Sequence, residues 1–233
     1  MERHRTASLP LDDGPAWLAR LRLATGGHGF DIEPGRVIVR EGDAATSFHA
    51  VESGAVLVSA TVPEGGVAAL AILGAGETFG QDGFLTDPAG RFVRPAFRAL
   101  VASRIVAIPI ADVWLAVGRN PEIGRLVVAS LTRSVERLQR RVAGVLLPRV
   151  IDRVAELFAD LARVHGRPSA DAVVIQVPLT QDLVASMVGA TRESVNRAVR
   201  SLAASGAIRR SGRTYSVLDP PFAAAGLRAE GTS

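Results

Sequence analysis

Apolar residues divide the chain into two parts with different periods. Up to about residue 110 they form short runs that are separated by glycine-containing turns. These runs predict strands at residues 36–40, 48–51, 55–60, 67–73 and 105–108. Many short strands with regular turn signals are typical of a sandwich or a rolled barrel. The first half of the chain is therefore predicted to be a β-roll.

A helical period begins at Pro121. Apolar residues then recur three and four positions apart, at Val128, Leu131, Val135, Leu138, Val142 and Val145. This heptad spacing predicts a helix that pairs with the same helix of a second copy. In the alternative interpretation, the helix packs only on its own domain.

Pro148 is predicted to end or kink that helix and to form a hinge, because proline lacks an N–H group and clashes with the preceding turn. A second amphipathic helix is predicted over residues 150–164, followed by a loop over 165–168 and a short strand over 173–177.

Residues 180–197 have the pattern of two short helices joined by a turn. Thr180 and Thr191 are suited to cap the two helices, and Gly189 supplies the turn. The outer face of the second helix carries two arginines, a carboxylate and an amide, at Arg192, Glu193, Asn196 and Arg197. These groups are the types that read base edges in a DNA major groove. The segment is therefore predicted to be a DNA-reading helix-turn-helix, with an ordinary helical hairpin as the alternative.

A predicted hairpin over residues 207–217, turning at Ser211 and Gly212, follows as the wing of a winged helix. Its arginines and the two capping threonines are predicted to contact DNA phosphates: Thr180, Thr191, Arg209, Arg210 and Arg213. Residues 176–213 hold six arginines and two acidic residues. This excess of four positive charges equals the net charge of the whole chain, +4, so the basic charge is concentrated where phosphates would bind.

Composition excludes several kinds of site. All 27 basic residues are arginine, which a coding bias toward Ala, Val, Gly and Arg explains without a functional role. The absence of cysteine excludes disulfides, cysteine-ligated zinc and cysteine-ligated iron–sulfur clusters. The four histidines, His4, His28, His49 and His165, have no paired spacing, so neither a metal site nor haem is expected.

Two other classes are not expected. No catalytic triad, phosphate loop or isolated carboxylate pair is recognisable, so an enzyme is not expected. No stretch approaches the roughly 20 apolar residues of a membrane span, and the first 14 residues lack the apolar region of a signal peptide. The protein is therefore expected in the cytoplasm.

Residues 29–217 resemble the bacterial family of the cyclic-AMP receptor protein and the fumarate-nitrate reductase regulator, CRP/FNR. The resemblance rests on the strand-rich first half, on the Asn120-Pro121 start of the long helix and on Thr-Arg-Glu-Ser-Val-Asn-Arg at 191–197. It implies an α+β chain with an N-terminal double-stranded β-helix, a jelly roll of the cyclic-nucleotide-binding type, then a long dimerisation helix and a C-terminal winged helix-turn-helix. The implied limits are 1–28 for an N-terminal extension, 29–119 for the β-roll, 120–147 for the dimerisation helix, 148–219 for the DNA-binding domain and 220–233 for a tail.

The resemblance also implies the roles of the outer-face residues and the partners. Arg192 and Arg197 would donate to guanines, and Glu193 would accept from a cytosine. The half-site would resemble TGTGA, repeated as a palindrome for a homodimer, with double-stranded DNA and RNA polymerase as partners. The alternative function is a cyclic-nucleotide-type sensor that acts through protein partners without reading DNA.

The effector cassette departs from the family pattern. Its candidate residues, taken from the resemblance, are Gly80, Gln81, Arg91, Arg94, Leu138 and Gln139. Gln81 replaces the ribose-binding glutamate, and Arg94 is followed by Pro95, which has neither a hydroxyl nor an N–H for a phosphate. Leu138 and Gln139 replace small hydroxyl residues beside the adenine. Cyclic AMP is therefore disfavoured as the effector.

Two alternatives to cyclic AMP stay open, namely another anionic or nucleotide ligand and no small-molecule effector. Arg91, Arg94 and Arg98 are candidates for an anion site, because guanidinium groups suit phosphate and carboxylate, or for a solvated face of a strand or loop.

Overall fold

The computed structural model describes residues 16–63, 66–84 and 92–218. Its first half contains α1 (Ala16–Thr25), β1 (His28–Ile32), β2 (Val37–Val39), β3 (Ser47–Ser53), β4 (Val56–Thr61), β5 (Val67–Leu73), β6 (Thr78–Phe79), a 3-10 helix (Gln81–Phe84), β7 (Ala96–Ala99), β8 (Ser103–Pro109) and α2 (Ile110–Arg119). The second half contains α3 (Pro121–Val145), α4 (Val150–His165), β9 (Gly166–Ser169), β10 (Ala172–Ile175), α5 (Gln181–Val188), α6 (Arg192–Ala204), β11 (Ile208–Ser211) and β12 (Thr214–Leu218).

The β-roll consists of two antiparallel four-stranded sheets. Their strand orders are β1-β8-β3-β6 and β2-β7-β4-β5. The inner faces meet in a core that includes Val51, Val56, Phe79 and Phe97, with the Phe79 and Phe97 ring centroids 4.4 Å apart. The strands predicted from the five apolar runs are confirmed as β2, β3, β4, β5 and β8.

The β1-β8-β3-β6 sheet is buried on both faces. Phe48 and Ala50 of β3 point away from the core of the roll and pack against α1, α2 and the start of α3. Trp17 and Leu21 of α1 are almost fully buried there. The sequence patterns did not predict α1, α2, β1, β6 or β7. Burial on both faces makes residues 105–108 of β8 a continuous apolar run rather than an alternating one, which is why this strand was recognisable.

Helix α3 begins at a favourable cap, and it is most deeply buried in its first half. The Asn120 side chain accepts a hydrogen bond from the Glu122 N–H at 3.0 Å, and Pro121 occupies the first turn, where its missing N–H costs nothing. Its buried residues end at Ser130. Further along, Arg137 and Arg141 still contact Glu77 and Leu70 of the roll before the helix ends at Val145. Helix α4 begins two residues after Pro148, as predicted.

The C-terminal unit is a winged helix. Helices α4, α5 and α6 enclose a core around Phe158, Val184, Val195 and Tyr215, against a sheet of order β11-β12-β10-β9. The loop predicted over 165–168 is wrong, because Gly166 to Ser169 pair with β10 as strand β9. Strand β9 lies at the sheet edge, where Pro168 is tolerated because its missing N–H removes no ladder bond.

The turn of the wing lies one residue later than predicted. Ser211 pairs with Thr214, so the two-residue turn is Gly212-Arg213. Gly212 adopts a φ of 61°, a left-handed conformation that glycine reaches without steric strain.

The C-terminal unit docks on the exposed edge of the β-roll. Strand β5 is the last strand of its sheet, so its outer backbone groups need partners from elsewhere. The Ala69 N–H donates to Ser186 Oγ at 2.8 Å, and the Ile72 carbonyl accepts from His165 Nε2 at 3.1 Å. The Leu70 carbonyl accepts from Arg141 Nε at 3.3 Å. Side chains from α5, α4 and α3 therefore take the place of a neighbouring strand.

Candidate nucleic-acid interface and internal cavity

Helices α5 and α6 are held by the predicted caps and turn. Thr180 Oγ1 accepts from the Leu183 N–H at 3.1 Å, and Thr191 Oγ1 accepts from the Ser194 N–H at 3.2 Å. Gly189 ends α5 in the left-handed region with a φ of 60°. Helix α6 buries Val195, Ala198, Val199 and Leu202, which directs its opposite face toward solvent.

Three of the four predicted base-reading side chains are exposed on that face. Arg192, Glu193 and Arg197 lie at the N-terminal end of α6, and the Arg192 side chain is 67% exposed. Arg192 has a long contact with Asp182, 3.7 Å between Nη1 and Oδ2, while Arg197 donates to Ser194 Oγ at 3.2 Å. An exposed ion pair of this kind contributes little and is easily exchanged for another partner.

The fourth predicted reader, Asn196, is half-buried and already engaged. Its Oδ1 accepts a hydrogen bond from Gln181 Nε2 at 3.1 Å, which ties α6 to the first turn of α5. The amide NH₂ group of Asn196 is the part of this side chain left to act as a donor.

The wing arginines differ in their surroundings. Arg209 pairs with Asp171 at 2.9 Å, and this hydrogen bond and charge hold the pKa of the Asp171 carboxyl below its usual value. Arg210 lies over the buried Tyr215 ring, 5.7 Å from its centroid, and donates to the Gly212 carbonyl. Arg213 is exposed at the turn. The Arg213 carbonyl accepts from the Leu179 N–H at 2.9 Å, which places the turn of the wing beside the N-terminal end of α5.

A cavity of about 250 Å³ lies between the β-roll and the helices that follow it. The β-roll contributes apolar side chains together with Thr78, Gln81 and Pro95. The helical walls come from three elements, with Ser134, Arg137, Leu138 and Arg141 on α3, Leu157, Asp160, Leu161 and Val164 on α4, and Met187 on α5. The cavity therefore contacts the sensor-like roll and the first helix of the helix-turn-helix at once.

Two of the charged groups in the cavity wall have partners. Arg137 forms an ion pair with Glu77, and both side chains are largely buried. The other carboxylate oxygen of Glu77 accepts from the Gly74 N–H at 2.6 Å. Asp160 pairs with Arg163 and lies 3.6 Å from Arg140. These pairs connect the β-roll to α3, and α3 to α4.

Sequence comparison places both halves of the chain in known domain families. Residues 30–119 match the cyclic nucleotide-binding domain, and residues 152–222 match the Crp-like helix-turn-helix domain. The chain belongs to the CRP/FNR family of transcription regulators.

Relatives of this CRP/FNR protein span most of its length. The CRP-like cAMP-activated global transcriptional regulator of Mycobacterium tuberculosis is 28% identical over 189 residues, covering 81% of this chain and 83% of the relative. The global nitrogen regulator of a Nostoc species is 26% identical over 172 residues, covering 73% and 76%. The structure of FixK2 from Bradyrhizobium japonicum superposes with a TM-score of 0.70 at 20% identity, covering 83% of this chain and 92% of that one, and this shows the shared fold.

The structure brings together only part of the predicted effector site of the CRP/FNR chain. Gln81 and Leu138 line the cavity, and Gly80 lies buried beside it with a φ of 83°. Arg94 and Gln139 are exposed and do not line it. Arg91 lies outside the described residues. Arg98 donates to the Gly35 carbonyl at 2.7 Å on the exposed side of β7, so it is also outside the cavity.

The sequence reasoning missed two arginines of the cavity wall. Ser134, Arg137, Leu138 and Arg141 are spaced at i, i+3, i+4 and i+7, so they form a second stripe along α3 beside the heptad stripe. This spacing was a usable signal. The wall residues on α4 and α5 had no such signal in the sequence, because they reach the cavity only through the docking of the C-terminal unit.

Two further features are absent from the described residues. Within residues 16–63, 66–84 and 92–218, no three His, Cys, Asp or Glu side chains are grouped as a metal site would require. No helix in the same ranges has the length and apolarity needed to cross a membrane.

Proposed function

We propose that this CRP/FNR regulator binds DNA as a homodimer and reads a palindrome of TGTGA-like half-sites. The observation that carries the proposal is the joint exposure of Arg192, Glu193 and Arg197 at the N-terminal end of α6. Arginine is the usual bidentate partner of guanine O6 and N7, and a carboxylate accepts from cytosine N4. Asn196 would add its amide donor, and the wing arginines would position the domain on phosphates without reading sequence.

The exposed stripe of α3 supports the dimer. Val128, Val135, Leu138, Val142 and Val145 are 37–62% exposed, while Leu131 is half-buried against the β-roll helices. A contiguous row of exposed valine and leucine at heptad spacing is what a two-stranded coiled coil covers. Pairing of two α3 helices would place the α6 helices of two copies to enter successive major grooves, about 34 Å apart.

Three further parts of the proposal follow from the family. Because a protein that binds chromosomal DNA acts where that DNA lies, we place this one in the cytoplasm. The relatives named above are regulators of transcription, so RNA polymerase is the proposed protein partner. The CRP/FNR chain is proposed to act by binding and not by catalysis.

Electrophoretic mobility shift of the full chain tests the proposal. The probes are a TGTGA palindrome, the same duplex with both half-sites scrambled, and a duplex with one half-site. The palindrome is expected to bind about a thousandfold tighter than the scrambled duplex, and binding should weaken steeply between low and physiological salt as counterions are released. The single half-site should bind more weakly than the palindrome, because only one α6 helix reads bases. Equal binding to all three probes would contradict sequence reading and favour a sensor that acts through protein partners.

A further inference from the structure

The chemistry of the cavity wall identifies a class of ligand. Its volume of about 250 Å³ is near the lower end of the roughly 300–1,000 Å³ of ligand pockets, so the ligand is small. The walls are mainly apolar, with Phe79 and Phe97 from the β-roll and Leu157 and Leu161 from α4. Such walls suit a ligand with an apolar body and a single polar group.

The polar residues in the wall do not suit a nucleotide. Gln81 offers an amide where a ribose hydroxyl would need a charged acceptor, and Pro95 offers no donor to a phosphate. Arg94 lies outside the wall. Arg137 is already neutralised by Glu77.

Arg141 is the exception among the charged groups of the wall. Its Nε donates to the Leu70 carbonyl at 3.3 Å, and among the described residues no carboxylate lies within 4.0 Å of its guanidinium. Burial lowers the pKa of Arg141, an effect only partly offset by the negative charge of Asp160. The other N–H donors of this half-buried guanidinium are not sealed from solvent, so an anion in the cavity can reach them, and a guanidinium suits a carboxylate.

We infer that this cavity binds a small carboxylic acid with an apolar body, of the size of a medium-chain fatty acid, whose carboxylate pairs with Arg141. A carboxylate matches the planar donor fork of a single arginine. The apolar body would lie against Leu161 of α4 and Met187 of α5, which both line the cavity.

The location of the cavity gives the ligand a route to the DNA-binding surface. Met187 belongs to α5, and α5 supports α6 through the Gln181–Asn196 hydrogen bond. A ligand that binds between the β-roll and α5 favours one docking of the C-terminal unit over others, and its binding is thereby coupled to that of DNA. Only this coupling rests on the proposed function.

Calorimetric titration of the full chain without DNA tests the inference. The probes are saturated fatty acids of about six to twelve carbons, kept below their micelle concentrations, and the primary alcohols of the same lengths. The expected result is an optimum chain length at which the acid binds at least about tenfold tighter than the alcohol, because a charge-assisted pair is stronger than a neutral hydrogen bond. Equal binding of acid and alcohol, no binding of any acid below millimolar concentration, or micromolar binding of cyclic AMP would overturn the inference.

A matched pair of variants locates the site. Arg141→Met keeps the length of the side chain and removes the charge, and it is expected to weaken acid binding at least about tenfold while leaving alcohol binding unchanged. Arg125→Met removes an arginine of the same helix that is 66% exposed and lies outside the cavity wall, and it should leave both affinities unchanged. An Arg141→Met protein that binds the acid as wild type does would overturn the inference. Circular dichroism checks the folding of both variants, and the comparison of acid with alcohol in the wild type decides the question if a variant fails to fold. Failure of the titration leaves operator binding unaffected, so it is distinguishable from failure of the proposed function.

Discussion

Arg192 occupies the first turn of α6. Its contact with Asp182 is long, at 3.7 Å, so the guanidinium is free to rotate into a DNA groove. We expect Arg192→Ala to weaken binding to the TGTGA palindrome by about 1–3 kcal/mol per half-site contact and to relax selectivity at one base pair. Fluorescence anisotropy with duplexes altered at each half-site position measures both effects.

Arg200 is the matched control for Arg192. It is exposed on the same helix two turns further on, away from the end that enters the groove. Arg200→Ala should lower affinity slightly and equally for all duplexes. An Arg192→Ala protein with the base preference of wild type would remove Arg192 from the base-reading surface.

The buried His49 ring predicts a loss of stability in acid. Its ring stacks on Phe79 with the centroids 4.8 Å apart, and burial, helped by the nearby charge of His28, lowers its pKa from 6.5 to about 4. The unfolded chain therefore takes up a proton at higher pH than the folded chain does. The contribution of neutral His49 to the free energy of unfolding is therefore complete above about pH 6.5 and is lost as the pH falls to about 4. The full pKa shift corresponds to about 3 kcal/mol of this free energy.

His49→Phe keeps the stacked ring and removes the titration. Urea unfolding between pH 4 and 8 should give a free energy of unfolding that falls less steeply with acid in the variant than in wild type. His165, whose pKa burial also lowers, is present in both proteins, so the difference between the two profiles reports on His49 alone. Parallel profiles would show that His49 is not the group responsible.

At the scale of elements, α3 carries two adjacent stripes that share Leu138. The heptad stripe faces solvent, and the stripe from Ser134 to Arg141 faces the cavity. Val135 is central in the first stripe and 54% exposed. Val135→Glu is expected to convert the proposed dimer to a monomer at micromolar concentration, because two facing carboxylates would be desolvated and would repel each other in the seam.

Ala143→Glu adds the same charge to the same helix one position after the seam residue Val142. Ala143 is exposed and lies outside the heptad positions that face a partner, so this variant should remain dimeric. Analytical ultracentrifugation gives the mass of each protein. A wild-type monomer, or a Val135→Glu dimer, would mean that α3 packs only within its own chain.

At the scale of the whole molecule, the docking of the C-terminal unit depends on a few contacts at the edge of β5. Ser186 Oγ is the acceptor for the Ala69 N–H at 2.8 Å. Ser186→Ala leaves that donor without a protein partner, which costs about 1–3 kcal/mol where water cannot replace it. We expect faster hydrogen exchange at the Ala69 amide and a melting temperature lower by a few degrees.

Ser201→Ala serves as the control for Ser186→Ala, since Ser201 is exposed on α6. Its melting temperature and exchange pattern should equal those of wild type. If Ser186→Ala also leaves the exchange of Ala69 unchanged, the docking seen in the structure does not persist in solution.

Patterns within short stretches of sequence determined most of the elements and the exposed face of α6 that is proposed to read DNA. The capping threonines and the left-handed Gly189 act through neighbours two to five residues away, and the heptad stripe repeats along one helix. Such local interactions join residues that are close in the sequence, so α3, α5, α6 and the wing were predictable. Helices α1 and α2 were missed because their burial depends on the β1-β8-β3-β6 sheet, and α2 has no side-chain cap to mark its start.

Only the tertiary structure decided the composition of the cavity and the engagement of Asn196. Arg141 and Met187 meet across the cavity because α5 docks on β5, and Asp160 reaches the same wall from α4. Strand β9 likewise forms only because β10 lies beside it. These contacts join residues far apart in the chain, and their energy depends on packing and desolvation after folding. Residue order alone therefore determined the exposed face of α6 that is proposed to read DNA, and three-dimensional packing decided which side chains line the cavity.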